Sequence, residues 1–136
     1  MNHGLLVLLL ALLGVCASRA DDWLRADVYF IEWDVETRVA LTPQRVRKIA
    51  QFKRTFRNDA PAVARLLELG KFKRPTKNGD SEDARLVIDL TDDTFQRHTF
   101  YASYFSLCSS DSARKRPIDQ RFRQRVSSLA KGEKLK

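Results

Sequence analysis

Few residues of this sequence are of the types that carry out chemistry at a catalytic centre. His98 is the only histidine after the first twenty residues, and Cys16 and Cys108 are the only cysteines. Zinc sites need several imidazole or thiolate ligands, and a Cys–His nucleophile would have to join Cys108 to His98. These two residues would be about 33 Å apart in an extended strand and could meet only if the chain folds back after Phe105. We therefore expect no catalytic residue, no metal and no cofactor, and we interpret His98 as a strand-surface residue.

Carboxylates and glycines suggest no other site. Asp80, Glu82 and Asp83 fall in a predicted loop, and Asp92–Asp93 in a predicted turn, without the ligand series of a twelve-residue calcium loop. No Gly-x-Ser-x-Gly elbow and no glycine-rich phosphate loop occurs. Solvated turn carboxylates account for these acids, and a hydrolase with an unrecognised site is kept as a second alternative.

Basic residues are concentrated in two clusters. One lies in a predicted loop, and the other leads into the last predicted helix; they consist of Lys71, Lys73, Arg74 and Lys77, and of Arg114, Lys115, Arg116, Arg121 and Arg125. Arg121 and Arg125 are one helical turn apart and share a face. Such clusters bind phosphate, anionic lipid or an acidic protein. Trp23, just after the expected cleavage site, is a candidate exposed aromatic anchor.

The charge of the whole chain is distributed in blocks. Its 136 residues include 25 Lys and Arg against 17 Asp and Glu, a formal net charge of +8. Net charges are −5 for residues 21–37, +10 for 38–77, −5 for 78–113 and +7 for 114–136. The basic blocks are mainly predicted helices, which predicts a positive helix side that attracts anionic partners. Nucleic acid is not expected, because exposed aromatic residues for base stacking are scarce and the chain carries an export signal.

The first twenty residues indicate export. Leu5–Val15 is an apolar run about half the length that spans a membrane, and small residues and Asp21–Asp22 follow it. This is the layout of a secretory signal peptide, with cleavage expected after Ala20. Lipidation of Cys16 is a less favoured alternative that would anchor the protein to a membrane. Otherwise we expect a periplasmic or secreted protein in which Cys108 is the only thiol and could join two copies.

Residues 21–130 have the length of one domain, with a basic flexible tail at 131–136. Val28–Trp33 and Thr37–Leu41 predict one hairpin, and Arg85–Thr91 and Gln96–Phe105 a second. In the third of these strands the alternation places Leu86, Ile88 and Leu90 inward and Arg85, Val87 and Asp89 outward.

Helix signals occupy the intervening segments. Thr42–Pro43 predicts a short helix start, and Ile49–Phe56 fits either a helix or a strand. A helix after Asn58 or Asp59 should end at a left-handed cap on Gly70. Ser109–Arg116 is predicted as a loop, and a last helix opens at Pro117 and ends at Gly132. The expected fold is α+β: a small antiparallel sheet of four to five strands in two hairpins, with two main helices packed on one face.

Small size, export and the missing catalytic groups favour a protein that works by binding. The first hypothesis is a periplasmic inhibitor or immunity-type protein that binds an acidic protein. The alternative is a protein that binds anionic envelope polymer or lipid headgroups through the basic clusters.

Overall fold

The computed structural model describes residues 22–72, 83–111 and 114–133. In these ranges the chain forms β1 (Trp23–Phe30), α1 (Pro43–Ile49), β2 (Phe52–Phe56), α2 (Ala60–Leu67), β3 (Leu86–Asp92), β4 (Arg97–Ala102), β5 (Ser106–Ser109), β6 (Arg114–Pro117) and α3 (Gln120–Lys131). A single 3-10 turn, Leu69–Lys71, follows α2. The expected signal peptide with Cys16 lies outside the described residues, as do Lys73, Arg74 and Lys77.

The strands form one antiparallel sheet in the order β2-β1-β3-β4-β5-β6. The expected α+β fold with an antiparallel sheet is confirmed. The expected count of four to five strands is wrong, because the described ranges contain six. Strands β3 to β6 are neighbours both in sequence and in the sheet, so the second half of the chain is a meander, whereas β1 pairs with two strands that follow it at a distance.

The first predicted hairpin is wrong. Thr37–Leu41 forms no strand, and β1 begins at Trp23 rather than Val28. Both sides of β1 are taken by β2 and β3, so the segment after it has no free strand to pair with. Ile49–Phe56, which fitted a helix or a strand, contains the last residue of α1 and the whole of β2.

The predicted loop Ser109–Arg116 is also wrong, because β5 and β6 form the last hairpin of the sheet. The sequence of β6, Arg-Lys-Arg-Pro, has no apolar alternation that would predict a strand. Arg116 takes the inward position instead, opposite Leu107 of β5, and packs its long side chain against the core. Arg116 thus fills the inward position in β6 that an apolar residue such as Leu or Val fills in the other strands.

Helices α2 and α3 pack against one face of the sheet. They share a single core with β1, β3, β4 and β5, whose largest fully buried members include Phe30, Leu67, Leu86, Ile88, Leu90 and Leu107. The spacing of Ile118, Phe122, Val126 and Leu129 predicts one buried stripe on the last helix, and the last three are buried there. The helix starts at Gln120, after Ile118, and Asp119 accepts a hydrogen bond from the Phe122 amide at 2.8 Å. Gly132 ends it with φ 79°, as predicted.

The C-terminal cap of α2 is not at the predicted glycine. Glu68 adopts the left-handed conformation, with φ 49°, and Gly70 lies inside the 3-10 turn. The helix is therefore shorter than its sequence pattern indicated. Because the chain turns at Glu68, both Glu68 and Lys71 lie near the start of α3 and the end of β6.

Helix α1 packs on the opposite face of the sheet. Its Val46 joins Ile31, Leu41 and Val87 in a second, smaller core. Because both faces of β3 are covered, Val87 and the neighbouring Asp89 and Arg85 are buried, where simple alternation placed them outward. Basic helices therefore lie on both faces, so the helices do not define a single positive side.

Candidate anion-binding site

A cavity of about 540 Å³ between the end of α2 and the start of α3 brings together members of both predicted basic clusters. Its cationic lining residues are Lys71 of the first cluster and Arg116, Arg121 and Arg125 of the second. Glu68 and Asp119 are the acids that line it. Among the described lining residues, four bases against two acids give this site, which we call the basic cavity, an excess of positive charge. A cavity of this size holds a small molecule or the charged end of a larger one.

Arg116 is the buried member of the basic cavity, with only 8% of its surface exposed. Its Nε donates to the carbonyl oxygen of Leu67 at 3.1 Å, and its Nη1 to that of Pro117 at 3.3 Å. The guanidinium carbon lies 5.9 Å from the ring centre of Phe72 and 5.1 Å from that of Phe122. Burial lowers the pKa of Arg116, with Glu68 and Asp119 acting in the opposite sense.

One nitrogen of Arg116 is not satisfied. Its Nη2 is buried and has no hydrogen-bond partner among the described residues. A buried charged donor without an acceptor is costly, by about 1–3 kcal/mol or more. Arg116 also lines the cavity, so this unsatisfied charge lies close to where an anionic ligand would sit.

The other three cations of the basic cavity lie at its rim. Arg121 and Arg125 are exposed on one face of α3. Lys71 Nζ lies 3.0 Å from Glu68 Oε2, and the hydrogen bond from Lys71 lowers the pKa of Glu68. These side chains can turn towards an anion with little rearrangement of the backbone, since each sits on a helical segment.

The remaining predicted site residues are not part of this cavity. Arg114 is exposed at the start of β6 and pairs in register with Ser109. Lys115 points to the opposite face of the sheet, where it pairs with Cys108. Trp23 does not stand free as an anchor: it is half-buried at the start of β1, with its ring centre 5.3 Å from that of His98.

His98 lies on β4, half-buried between two carboxylates. Its Nε2 is 2.8 Å from Asp92 Oδ2, and its Nδ1 is 2.9 Å from Asp111 Oδ2. The chain does fold back after Phe105, but Cys108 pairs with Tyr101, three residues along from His98, and so lies on the other face. His98 and Cys108 therefore form no nucleophilic pair. Cys108 is 7% exposed, so a disulfide with a second copy would require local opening.

The two carboxylates give the stability of the fold a defined pH dependence. The hydrogen bond to Asp92 and the contacts with Asp111 raise the pKa of His98 above the value of about 6.5 that it has in an unfolded chain. The stabilisation from this imidazolium is therefore complete below about pH 6.5 and is lost as the pH rises through the raised native pKa. We expect the free energy of unfolding, measured by urea titration, to fall from pH 6 towards pH 9.

The control for this pH dependence is His98→Gln, which keeps a polar side chain but cannot titrate. The difference in stability between the two proteins should shrink as the pH rises. A constant difference across the range would show that the imidazolium contributes nothing.

A polar cluster on the α1 face of the sheet was not predicted from the sequence. Asp27 and Asp89 are directly opposite each other in β1 and β3, and Thr99 of β4 is opposite Asp89. Arg47 of α1 donates to both oxygens of Asp89, from Nε at 2.9 Å and from Nη2 at 2.8 Å. The only sequence signal was a single aspartate inside an otherwise apolar strand. Because every acid here has a donor, the cluster stabilises the fold and offers no free group for chemistry.

Two further features bear on the kind of site this protein has. In the ranges 22–72, 83–111 and 114–133, no group of three or more His, Cys, Asp or Glu residues is arranged to hold a metal ion. Within the same ranges, no helix combines the length and the apolar character needed to cross a membrane. No protein-family model matches the chain, and neither a curated protein nor a solved structure is significantly similar to it.

Proposed function

We propose that this protein binds, without transforming it, a phosphate or other multiply charged anionic group of an envelope polymer or lipid headgroup. The binding site is the basic cavity. The observation that carries the proposal is Arg116: a buried guanidinium on the cavity wall with an unpartnered Nη2, surrounded by Lys71, Arg121 and Arg125.

The chemistry of the cavity suits an anion with several oxygens. A guanidinium offers two parallel N–H donors that match the spacing of phosphate oxygens, and Arg121 and Arg125 could each form such a pair. The rings of Phe72 and Phe122 hold the Arg116 guanidinium in place. Its Nη2 is buried, so the anion forms a hydrogen bond with this nitrogen only after a shift of the side chains that cover it. The excess positive charge of the cavity also attracts the ligand over the Debye length of about 8 Å.

The shape and lining of the cavity favour the binding of an anionic group over the two alternatives, an acidic protein partner and a hydrolase. A protein–protein interface buries about 800 Å² on each partner, whereas this site is a concave cavity sized for a single group. The described lining residues include no histidine, cysteine or serine. Glu68 and Asp119, the two carboxylates there, are engaged by Lys71 and by the Phe122 amide, which leaves neither well placed as a base. An acidic protein partner, as for an inhibitor or immunity-type protein, and a hydrolase are therefore outcomes that the experiment must separate from the proposal.

The test compares two double variants with the same change in net charge. Arg121→Glu with Arg125→Glu reverses two cations of the basic cavity, and Arg38→Glu with Arg45→Glu reverses two exposed arginines outside it. Binding is measured by calorimetry with inorganic polyphosphate and by co-sedimentation with phosphatidylglycerol vesicles, with neutral phosphatidylcholine vesicles as reference. The first variant should bind at least about tenfold more weakly, a loss of about 1.4 kcal/mol, and the second should stay close to the parent protein.

Three outcomes would overturn the proposal. Equal losses in both double variants would mean attraction by overall charge only. Failure of both probes to bind, together with capture of one acidic protein that persists in 1 M salt, would favour the inhibitor or immunity-type reading. Hydrolysis of a probe by the parent protein would make it an enzyme. Binding to polyphosphate but not to vesicles, or the reverse, identifies the source of the anion.

A further inference from the structure

A second cavity, of about 400 Å³, opens at the end of the sheet where β4 turns into β5. Its lining residues are Trp33, Asp83, Arg85, Ser103, Tyr104 and Phe105, and none of them lines the basic cavity. Three of the six are aromatic, and we call this site the aromatic cavity. It differs from the basic cavity in chemistry as well as in place.

The aromatic walls are held in position before any ligand arrives. Trp33 Nε1 donates to the carbonyl oxygen of Arg123 at 3.2 Å, and the Trp33 ring packs on Phe30. The Arg123 guanidinium lies 4.0 Å from the ring centre of Tyr104 and donates to the Tyr104 carbonyl oxygen at 2.8 Å. Rings fixed in this way lose little conformational entropy when they bind a ligand.

Two of the three rings, those of Tyr104 and Phe105, are exposed, whereas large apolar side chains are usually covered. Phe105 is 75% exposed and Tyr104 44% exposed, and their ring centres lie 5.1 Å apart at an angle of 73°. Trp33 and Tyr104 are 6.5 Å apart and nearly perpendicular. The result is a corner of aromatic faces directed at a cavity, which is typical of a surface kept for a ligand.

A buried arginine forms the polar part of the aromatic cavity. Arg85 is 7% exposed, and its Nη2 donates to Asp83 Oδ2 and to Thr37 Oγ1. Its Nη1 is buried and has no hydrogen-bond partner among the described residues. Asp83 also accepts from the Leu41 amide at 2.7 Å and is partly exposed.

Arg85 and Asp83 together are close to neutral, yet they still offer a donor and an acceptor side by side. The negative charge of Asp83 would repel a carboxylate ligand, and the positive charge of Arg85 would repel a cation. A purely apolar side chain would leave Arg85 Nη1 without an acceptor. The ligand that fits is neutral, has an apolar face for the rings, and carries adjacent groups that both donate and accept.

We propose that the aromatic cavity binds a neutral sugar unit. One face of a pyranose ring presents C–H groups, which pack on the face of the exposed Phe105 ring. Tyr104, whose ring lies at 73° to that of Phe105, forms the side of the site. A ring hydroxyl donates to the Asp83 carboxylate, which is partly exposed, and a neighbouring hydroxyl lies towards the positive charge of Arg85 behind it. This site is independent of the basic cavity, so either proposal can fail without the other.

The test uses a panel of neutral sugars, namely maltotriose, cellobiose and N,N′-diacetylchitobiose, with the full chain and saturation-transfer NMR. Saturation should reach the ring C–H protons of at least one sugar, and Phe105→Ala should weaken its binding about tenfold. The matched control is Phe95→Ala, which removes a ring that is 81% exposed but lies outside the cavity. Because both rings are on the surface, neither variant should unfold the protein.

Arg85 is tested separately with Arg85→Lys, which keeps the charge and places fewer donors at the site. Its binding of the same sugar should weaken while its circular dichroism spectrum is unchanged; if the spectrum changes, Phe105→Ala alone decides. The proposal is overturned if no sugar of the panel binds at 10 mM, a concentration chosen for weak sites at about 1–10 mM. Equal losses for Phe105→Ala and Phe95→Ala overturn it too, as does saturation transfer to an acidic peptide in place of the sugars.

Discussion

Replacement of Arg47 with alanine should lower the free energy of unfolding by about 3–5 kcal/mol. The guanidinium of Arg47 makes two hydrogen bonds to Asp89, whose side chain is only 3% exposed. Without it, the Asp89 carboxylate is left between β1 and β4 with the Thr99 hydroxyl as its remaining donor. An uncompensated buried charge is among the most destabilising changes that one substitution can make. Equilibrium urea unfolding measures the loss.

The matched control is Arg25→Ala, since Arg25 also pairs with an aspartate of the same sheet, Asp27. That pair is more exposed and is screened by solvent, so its loss should cost clearly less than the loss of Arg47. Replacing both members of the buried pair, as Arg47→Met with Asp89→Leu, should recover most of the stability because no charge is then stranded. Similar losses for the two single arginine variants would contradict the assignment of Arg47 to a buried ion pair.

A loss of about 3–5 kcal/mol is also expected for Phe30→Ala. Phe30 is fully buried in the main core, and its ring centre lies 5.2 Å from that of Trp33 and 6.1 Å from that of Phe52. Alanine leaves a cavity beneath both rings, and the cost includes the lost contacts as well as the lost burial. Urea unfolding is again the measurement.

Phe95→Ala serves as the comparison, because Phe95 is exposed and its removal should change stability by less than about 0.5 kcal/mol. Phe30→Ala should in addition loosen Trp33, one wall of the aromatic cavity. We therefore expect a red shift of the native tryptophan emission in this variant but not in Phe95→Ala. An unshifted spectrum together with a small stability loss would mean that the Phe30 site collapses around alanine.

The parts of the fold that could be predicted from sequence are those set by local signals. The Thr42 hydroxyl caps α1, as its position before Pro43 indicated, and the 3–4 residue spacing of Phe122, Val126 and Leu129 gave the buried face of α3. Strand pairing depends on distant segments, and here the prediction failed. Thr37–Leu41 alternates like a strand, but β1 is paired on both sides, so no partner is available.

For the candidate sites, too, the features set by local sequence were predictable and those set by distant segments were not. The composition of the basic clusters was visible, and so was the shared face of Arg121 and Arg125, because both are local. That Lys71 would meet Arg116 depends on the early end of α2 at Glu68 and on an arginine taking an inward strand position. The aromatic cavity was not predictable, because it joins residues from three separate connections between strands.

The two edge strands of the sheet affect how separate copies of this protein associate. In the described part of the chain, β2 and β6 are the edge strands, and each has a row of backbone N–H and C=O groups that no further strand pairs with. Such an edge can pair with another chain, which is a route to aggregation. Both strands carry positive side chains outside the core: Lys53 and Arg54 on β2, and Arg114 and Lys115 on β6. Any two of these edge strands, from two separate molecules, therefore repel each other. Pro117 also lacks a backbone N–H group, so β6 has one donor fewer for such pairing. The positive charge therefore also keeps separate molecules from joining their sheets, and a dense polyanion that neutralises it would remove that barrier.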